Sequence, residues 1–218
     1  LWHNTFSNIV ERGVKGLGLK RPDLLCGVTD LAPDLADFAE GSPLRAGAGP
    51  DPKSIDQGDD LTGQAGSLKL PINRGFYPER LISLDQAPRP VPDLEGLNLY
   101  VVGPSHENLG KLQSEWLAWL ANKLQAEPKD LEGGPLLGEP VPKPDDSTFN
   151  LSSIMLLAEA GGKTILLTGD GLGDDLVQGL EQAGLLRPGE TYHVDVLKLP
   201  HHGSARNASP DFFRRVTA

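Results

Sequence analysis

The residues best suited to chemistry lie in the last quarter of the chain, where two apolar stretches each end on a polar cluster. The first stretch, residues 164–167, leads into Thr-Gly-Asp at Asp170, and the second, residues 194–199, leads into His-His-Gly-Ser at residues 201–204. A carboxylate and a neutral imidazole are both good ligands for zinc and related ions. We therefore interpret Asp170 and His201 as candidate metal ligands and catalytic residues.

Plain alternatives exist for each of these groups. Gly-Asp-Gly is turn chemistry, so Asp170 is also suited to starting the helix that follows it. His201 and His202 are also compatible with a solvated pair in a loop. Lys198 alternates with apolar neighbours and is expected at the surface. Asp195 is as compatible with pointing inward, near the site, as with pointing outward. Whether His3 approaches the site is left open by the pattern. His193 is expected to face solvent at a strand start, and His106 is expected in the first turn of a helix.

Strands, hairpins and helix signals surround the two clusters. Residues 150–159 and 164–167 are predicted as a hairpin, because a short loop with two glycines joins them. A helix is predicted from Asp174 or Asp175 to Gly184, a strand over residues 194–199, and a further helix after the capping sequence Ser209-Pro210-Asp211. Ligand sites commonly form where strands of such sheets end.

Upstream, one strand and one helix stand out. Residues 97–102 alternate and are bounded by glycine, which predicts a half-buried strand. Apolar residues at three- and four-residue steps then predict a helix from Ser105 or His106 to Gln125, with Trp116 and Trp119 in the core. Weaker patterns predict helices over residues 4–14, 35–39 and 54–65 and a short strand over residues 68–70.

Composition limits the functions to consider. At 218 residues, 38% of them hydrophobic, the chain is long enough for one core. The formal charge of -10 disfavours tight duplex binding, which needs a basic surface. No run of about 18 apolar residues predicts a membrane span. The single cysteine, Cys26, excludes an internal disulfide, which fits a cytoplasmic location.

The motifs resemble one known family. Asn150-Leu-Ser-Ser153, the hairpin, LLTGD ending at Asp170, and DVLKLPHHGS from Asp195 to Ser204 resemble the C-terminal half of a metallo-β-lactamase-fold hydrolase. The similarity is greatest to the competence-associated branch, the hydrolase domain of DNA-internalisation proteins, and it covers residues 97–213. It implies an α/β fold, a four-layer αββα sandwich that holds one or two zinc ions or manganese.

The resemblance also implies residue roles. Asp170 would bridge two metal ions and His201 would be the last histidine ligand. His202 and Ser204 would line the site, while Asn150 and Ser153 would hold the neighbouring loop by hydrogen bonds. The implied reaction is attack of metal-bound hydroxide on a phosphodiester or another ester, with a small molecule or a phosphodiester as substrate and nucleic acid allowed by the family but disfavoured by charge.

One departure from the family pattern is large. The His-x-His-x-Asp-His motif, which supplies most metal ligands in the family, is absent from this sequence. A catalytic zinc site needs about three protein ligands, and Asp170 with His201 supplies two. We therefore expect residues 1–218 to form a single incomplete domain, a fragment, with loop-rich insertions at about residues 23–66 and 129–146. The alternative is a metal-free pseudoenzyme that serves as a binding or regulatory module.

Overall fold

The structure is a computed structural model that describes residues 1–2, 4, 9–10, 52–76, 81–87, 90–91, 95–124 and 147–218. For residues 52–59 and 119–124 it describes the backbone only. The chain divides into two compact units. Unit 1 comprises Leu1–Arg74, Glu79–Leu81 and Gly110–Pro140, and unit 2 comprises Gly75–Pro78, Ile82–Leu109 and Val141–Ala218. The expectation of one incomplete domain over residues 1–218 stays a prediction.

In unit 1, helix α1 spans Pro52–Ser67 and agrees with the helix predicted over residues 54–65. The strand predicted over residues 68–70 was wrong. The chain there turns back on the helix end, with Lys69 at φ 56° and the amide of Leu70 donating to Ala65 O at 2.9 Å. The Leu70 amide thus satisfies a carbonyl that the end of the helix leaves unpaired, and so it is not available to a sheet.

Helix α2 spans His106–Leu124, as the apolar period predicted, and its residues from Gly110 onward belong to unit 1. Leu112 and Trp116 are buried, which confirms the core position predicted for this tryptophan. Several features of the sequence analysis lie outside the described residues: the Trp119 side chain, His3, Cys26, residues 35–39 and residues 129–146. Of the helix predicted over residues 4–14, Asn4, Ile9 and Val10 are described. Asn4 is not helical, whereas Ile9 and Val10 are helical and buried.

Unit 2 is built on a four-stranded mixed sheet. Its strands are β1 (Asn98–Gly103), β2 (Met155–Ala160), β3 (Lys163–Leu167) and β5 (Val196–Leu197), in the order β1-β2-β3-β5. The first three pair antiparallel, and β5 pairs parallel to β3. A mixed sheet with packed helices confirms the predicted combination of α and β structure.

The β2–β3 hairpin forms as predicted, and its turn contains Gly161 and Gly162 in left-handed conformations. The predicted first strand began too early. Residues Thr148–Leu151 form a short helix, α3, and β2 starts only at Met155. Ser152 closes the α3 turn through its amide to Thr148 O, which leaves Ser153 and Ile154 to carry the chain into the sheet.

The strand predicted over residues 194–199 is divided between two sheets. β4 (Tyr192–His193) pairs parallel to β6 (Val216–Thr217) in a separate two-stranded sheet, and the pairing extends to the Val194 amide on Thr217 O. From Asp195 onward the backbone bonds β3 instead, first at Thr164 O and later at Leu166 O. The strand predicted over residues 194–199 is therefore confirmed only at Val196–Leu197, and Asp195 forms a bend where the chain passes from one sheet to the other.

Helices α4 (Gly173–Gln182) and α5 (Pro210–Arg215) complete unit 2, both near the predicted positions. Ser209 caps α5, with its hydroxyl accepting from the Phe212 amide at 3.0 Å. Gly179 of α4 lies so close to β1 that a Cβ there would be 1.9 Å from Val102 O. The buried core between sheet and helices consists of Val102, Met155, Leu157, Leu166, Leu176, Leu180, Leu186, Val194, Phe212 and Val216.

Candidate functional site

The two polar clusters meet at one edge of the four-stranded sheet. β3 and β5 are adjacent and parallel, so the loops that follow them leave the sheet on the same side. The loops are bonded directly: the His201 amide donates to Gly169 O at 3.2 Å. The structure thus brings the Asp170 loop beside the His201–His202 turn.

Asp170 follows a tight turn that only some residues permit. Gly169 has φ +54°, and a Cβ at this position would lie 2.7 Å from the Ser153 Cβ. Glycine is favoured where the backbone is left-handed and a neighbour is this close. The Asp170 amide donates to Ser153 Oγ at 3.1 Å, which gives Ser153 the loop-holding contact expected from the sequence.

The His201–His202 turn is an unusual piece of backbone. His201 and His202 have φ values of 43° and 55°, and Gly203 follows at 84°. Left-handed backbone at a non-glycine residue costs roughly 1–2 kcal/mol, and such strain is concentrated at functional sites. The His201 Nδ1 lies 3.3 Å from Asn150 Nδ2, so Asn150 contacts this loop through one imidazole.

His202 is the histidine whose ring is recorded next to Asp170. Its Nε2 lies 3.7 Å from Asp170 Oδ1. The ring centroids of His201 and His202 are 6.0 Å apart. Two ligands of one tetrahedral zinc ion, with bonds of about 2.0–2.1 Å, are separated by about 3.4 Å. The distance between Asp170 and His202 is close to that separation, and the sequence interpretation had paired Asp170 with His201 instead. Ser204 bonds within its own loop, its amide to His201 O at 3.0 Å.

The site is open to solvent on one side. The side chains of Asp170 and His202 are 40% and 80% exposed. Across the residues that the structure describes, no group of three or more His, Cys, Asp or Glu side chains is arranged to hold a metal ion. A catalytic zinc site needs about three protein ligands. The described residues therefore fit part of a metal site and do not complete one.

Two residues that the sequence interpretation missed shape the loop. Asn207 is 4% exposed, and its side-chain Nδ2 lies 3.3 Å from Asp170 O. Its backbone carbonyl accepts from the Gly173 amide at 2.7 Å. Lys198 lies at the surface as expected, with a side chain that is 40% exposed, and its Nζ donates to Gly169 O at 2.5 Å. A lysine three residues before His201 was the one signal for the Lys198 contact, and the Asn207 contact has no sequence signal.

Asp195 is not part of this cluster. It is exposed, precedes β5 in the chain and lies beside the first residues of β3. Its carboxylate accepts from Lys163 Nζ at 2.6 Å and from the Thr164 amide at 2.9 Å. The hydrogen bond from Lys163, followed by that from the Thr164 amide, lowers the pKa of Asp195 from 3.8 to about 2. The inward alternative for Asp195 was therefore wrong. His193 is exposed as expected, with Nδ1 at 3.2 Å from Thr217 Oγ1, and His106 begins α2.

Comparison with known proteins adds no family to this geometry. No protein-family model matches the chain, and searches of curated proteins and of solved structures found no match. Within the described part of the chain, none of the helices has both the length and the apolar composition that crossing a bilayer requires.

Proposed function

We propose that this chain carries part of the active site of a metal-dependent hydrolase of the metallo-β-lactamase type, with an αββα sandwich as its complete fold. The observation that carries the proposal is the junction of the two loops through His201 N and Gly169 O at 3.2 Å. This junction brings a carboxylate and two imidazoles to one end of the paired strands. Asn150 Nδ2 lies 3.3 Å from His201 Nδ1, and Ser153 Oγ accepts from the Asp170 backbone amide.

In this proposal Asp170 would be one metal ligand, and either His201 or His202 would supply the imidazole ligand. Asp170 with one of the two imidazoles would hold the ion, and the chemistry it would supply when bound is a water of lowered pKa as nucleophile for ester or phosphodiester hydrolysis. Zinc or manganese would suit a site of carboxylate and imidazole donors. Turnover requires at least one ligand beyond the described residues, from another segment or from a partner.

Metal binding is the property to test, because turnover needs the additional ligand. Co²⁺ is a suitable probe, since its visible absorption reports carboxylate and imidazole coordination. We expect saturable Co²⁺ binding by the full chain, a large loss of that binding in Asp170→Asn, and no loss in Asp195→Asn. Equal binding by both variants would contradict the assignment of Asp170.

One observation favours a second candidate, a metal-free binding or regulatory module. The Lys198 ammonium lies 3.9 Å from Asp170 Oδ1, so a positive charge is already present beside the carboxylate. In that case the loops are held together by protein groups alone. Full-chain protein that shows no saturable Co²⁺ binding, at metal concentrations well above the protein concentration, would favour this candidate over the hydrolase.

A further inference from the structure

Lys198 is bonded along the whole exit of β3. Its amide donates to Leu166 O at 3.0 Å, and its carbonyl accepts from Thr168 Oγ1 at 2.9 Å. Its Nζ donates to Gly169 O at 2.5 Å and lies 3.9 Å from Asp170 Oδ1. One residue of the β5 exit thus contacts four of the five residues from Leu166 to Asp170.

The ammonium contact is the most informative of these bonds. A hydrogen bond from a charged donor is roughly twice as strong as one between neutral groups. Lys198 Nζ also lies 3.3 Å from its neighbour's carbonyl, Leu199 O, and the side chain remains 40% exposed. The ammonium of Lys198 therefore contacts backbone carbonyls of both loops instead of extending into water.

Gly169 O accepts from two donors of the segment that follows β5. It receives Lys198 Nζ at 2.5 Å and the His201 amide at 3.2 Å. A carbonyl oxygen has two lone pairs, so both donors can be accommodated. The peptide bond is planar, so this carbonyl and the Asp170 N–H lie in one plane. That N–H donates to Ser153 Oγ at 3.1 Å. The peptide preceding Asp170 is therefore held at both ends.

We propose that Lys198 is a positioning residue: by holding Gly169 O, its ammonium sets the orientation of Asp170 toward the His201–His202 turn. Glycine otherwise has more conformational freedom than any other residue, so the peptide after Gly169 needs such a restraint. The consequence for metal binding rests on the proposed function, whereas the restraint on the peptide does not.

Hydrogen exchange of single amides in the full chain tests the restraint. Lys198→Met keeps most of the aliphatic side chain and removes the ammonium. We expect it to speed exchange of the Asp170 and His201 amides about tenfold, which corresponds to a loss of about 1.4 kcal/mol, close to the lower end of the range for a hydrogen bond to a charged group. Lys198→Arg restores a charged donor and should restore most of the protection.

Lys163→Met is the matched control. Lys163 is an exposed lysine that bonds Asp195 at the other end of β3, so this variant removes an ammonium without touching Gly169. We expect the Asp170 and His201 amides to keep wild-type exchange in it. Unchanged exchange in Lys198→Met, or an equal increase in Lys163→Met, would overturn the proposal.

A second readout separates this inference from the proposed function. With Co²⁺ as the probe, Lys198→Met should alter the visible spectrum of the bound ion, although Lys198 is not itself a ligand, and Lys198→Arg should restore it. A purely structural role would lower the melting temperature and leave this spectrum unchanged. If even the wild type binds no Co²⁺, the proposed function fails, and local exchange alone decides the role of Lys198.

Discussion

The carboxylate of Asp170 and the imidazole of His202 lie 3.7 Å apart, although 31 residues separate them in the chain. Their proximity follows from the parallel pairing of β3 and β5, which sends both exit loops to one side of the sheet. Each loop contains left-handed backbone at the point of contact, Gly169 in one and His201 with His202 in the other. Substitutions at these positions separate the contribution of backbone conformation from that of side-chain chemistry.

Gly169→Ala should disturb the site more than a comparable turn elsewhere. The new Cβ would lie 2.7 Å from Ser153 Cβ, in addition to the cost of left-handed backbone. Gly162→Ala is the control, because Gly162 has φ +73° and open space around its Cβ position. We expect Gly169→Ala to lower the free energy of unfolding by about 1 kcal/mol more than Gly162→Ala, measured by urea denaturation. Equal losses would mean that Ser153 moves away at no cost.

His202 should show the cost of its backbone conformation directly. His202→Gly and His202→Ala both remove the imidazole, but only alanine retains the steric penalty at φ 55°. The side chain is 80% exposed, so little packing is lost in either variant. We expect His202→Ala to be less stable than His202→Gly by about 1 kcal/mol in denaturant unfolding. The opposite order would show that this turn relaxes to ordinary backbone once the histidine is removed.

Gly179 should not tolerate a side chain. A Cβ at this position would lie 1.9 Å from Val102 O, a backbone atom that moves only if α4 or β1 moves. Gly179→Ala is expected to cost about 1–3 kcal/mol, as overpacking does. Gly63→Ala makes the same substitution in α1 with no atom within 4 Å of the new Cβ, and it should stabilise by about 0.5–1 kcal/mol. Thermal unfolding of the two variants should therefore give melting temperatures on opposite sides of the wild type.

Asp195 predicts a pH dependence of stability. Its pKa is lowered from 3.8 to about 2 by the Lys163 and Thr164 hydrogen bonds, so its contribution is present above 3.8 and is lost as the pH falls through about 2. Asp195→Asn should therefore lower the melting temperature at neutral pH, and the difference from the wild type should shrink between those two pH values. A difference that is constant with pH would show that the neutral amide loses contacts unrelated to charge.

Local signals were sufficient for several elements. Apolar residues at helical spacing predicted α2, two glycines between apolar runs predicted the β2–β3 turn, and Ser209-Pro210-Asp211 predicted the start of α5. Each of these features depends on residues that are close together in the chain. The hydrogen bonds of a helix cap or a tight turn are made by residues close by in the chain, and so a short stretch of sequence is enough to predict them.

Other features depend on a partner that is distant in the sequence. The run at residues 194–199 does not form one strand: Val194 bonds Thr217 in one sheet and Asp195 bonds Thr164 in another, because strands pair with whatever edge the fold presents. Lys198 alternates with apolar residues like a surface lysine, but Gly169 O lies within its reach. The sequence by itself determined the residue types of the candidate site and the strands that lead into it. Only the tertiary structure decided which oxygen, nitrogen and ammonium meet there, since these contacts depend on the pairing of β3 with β5.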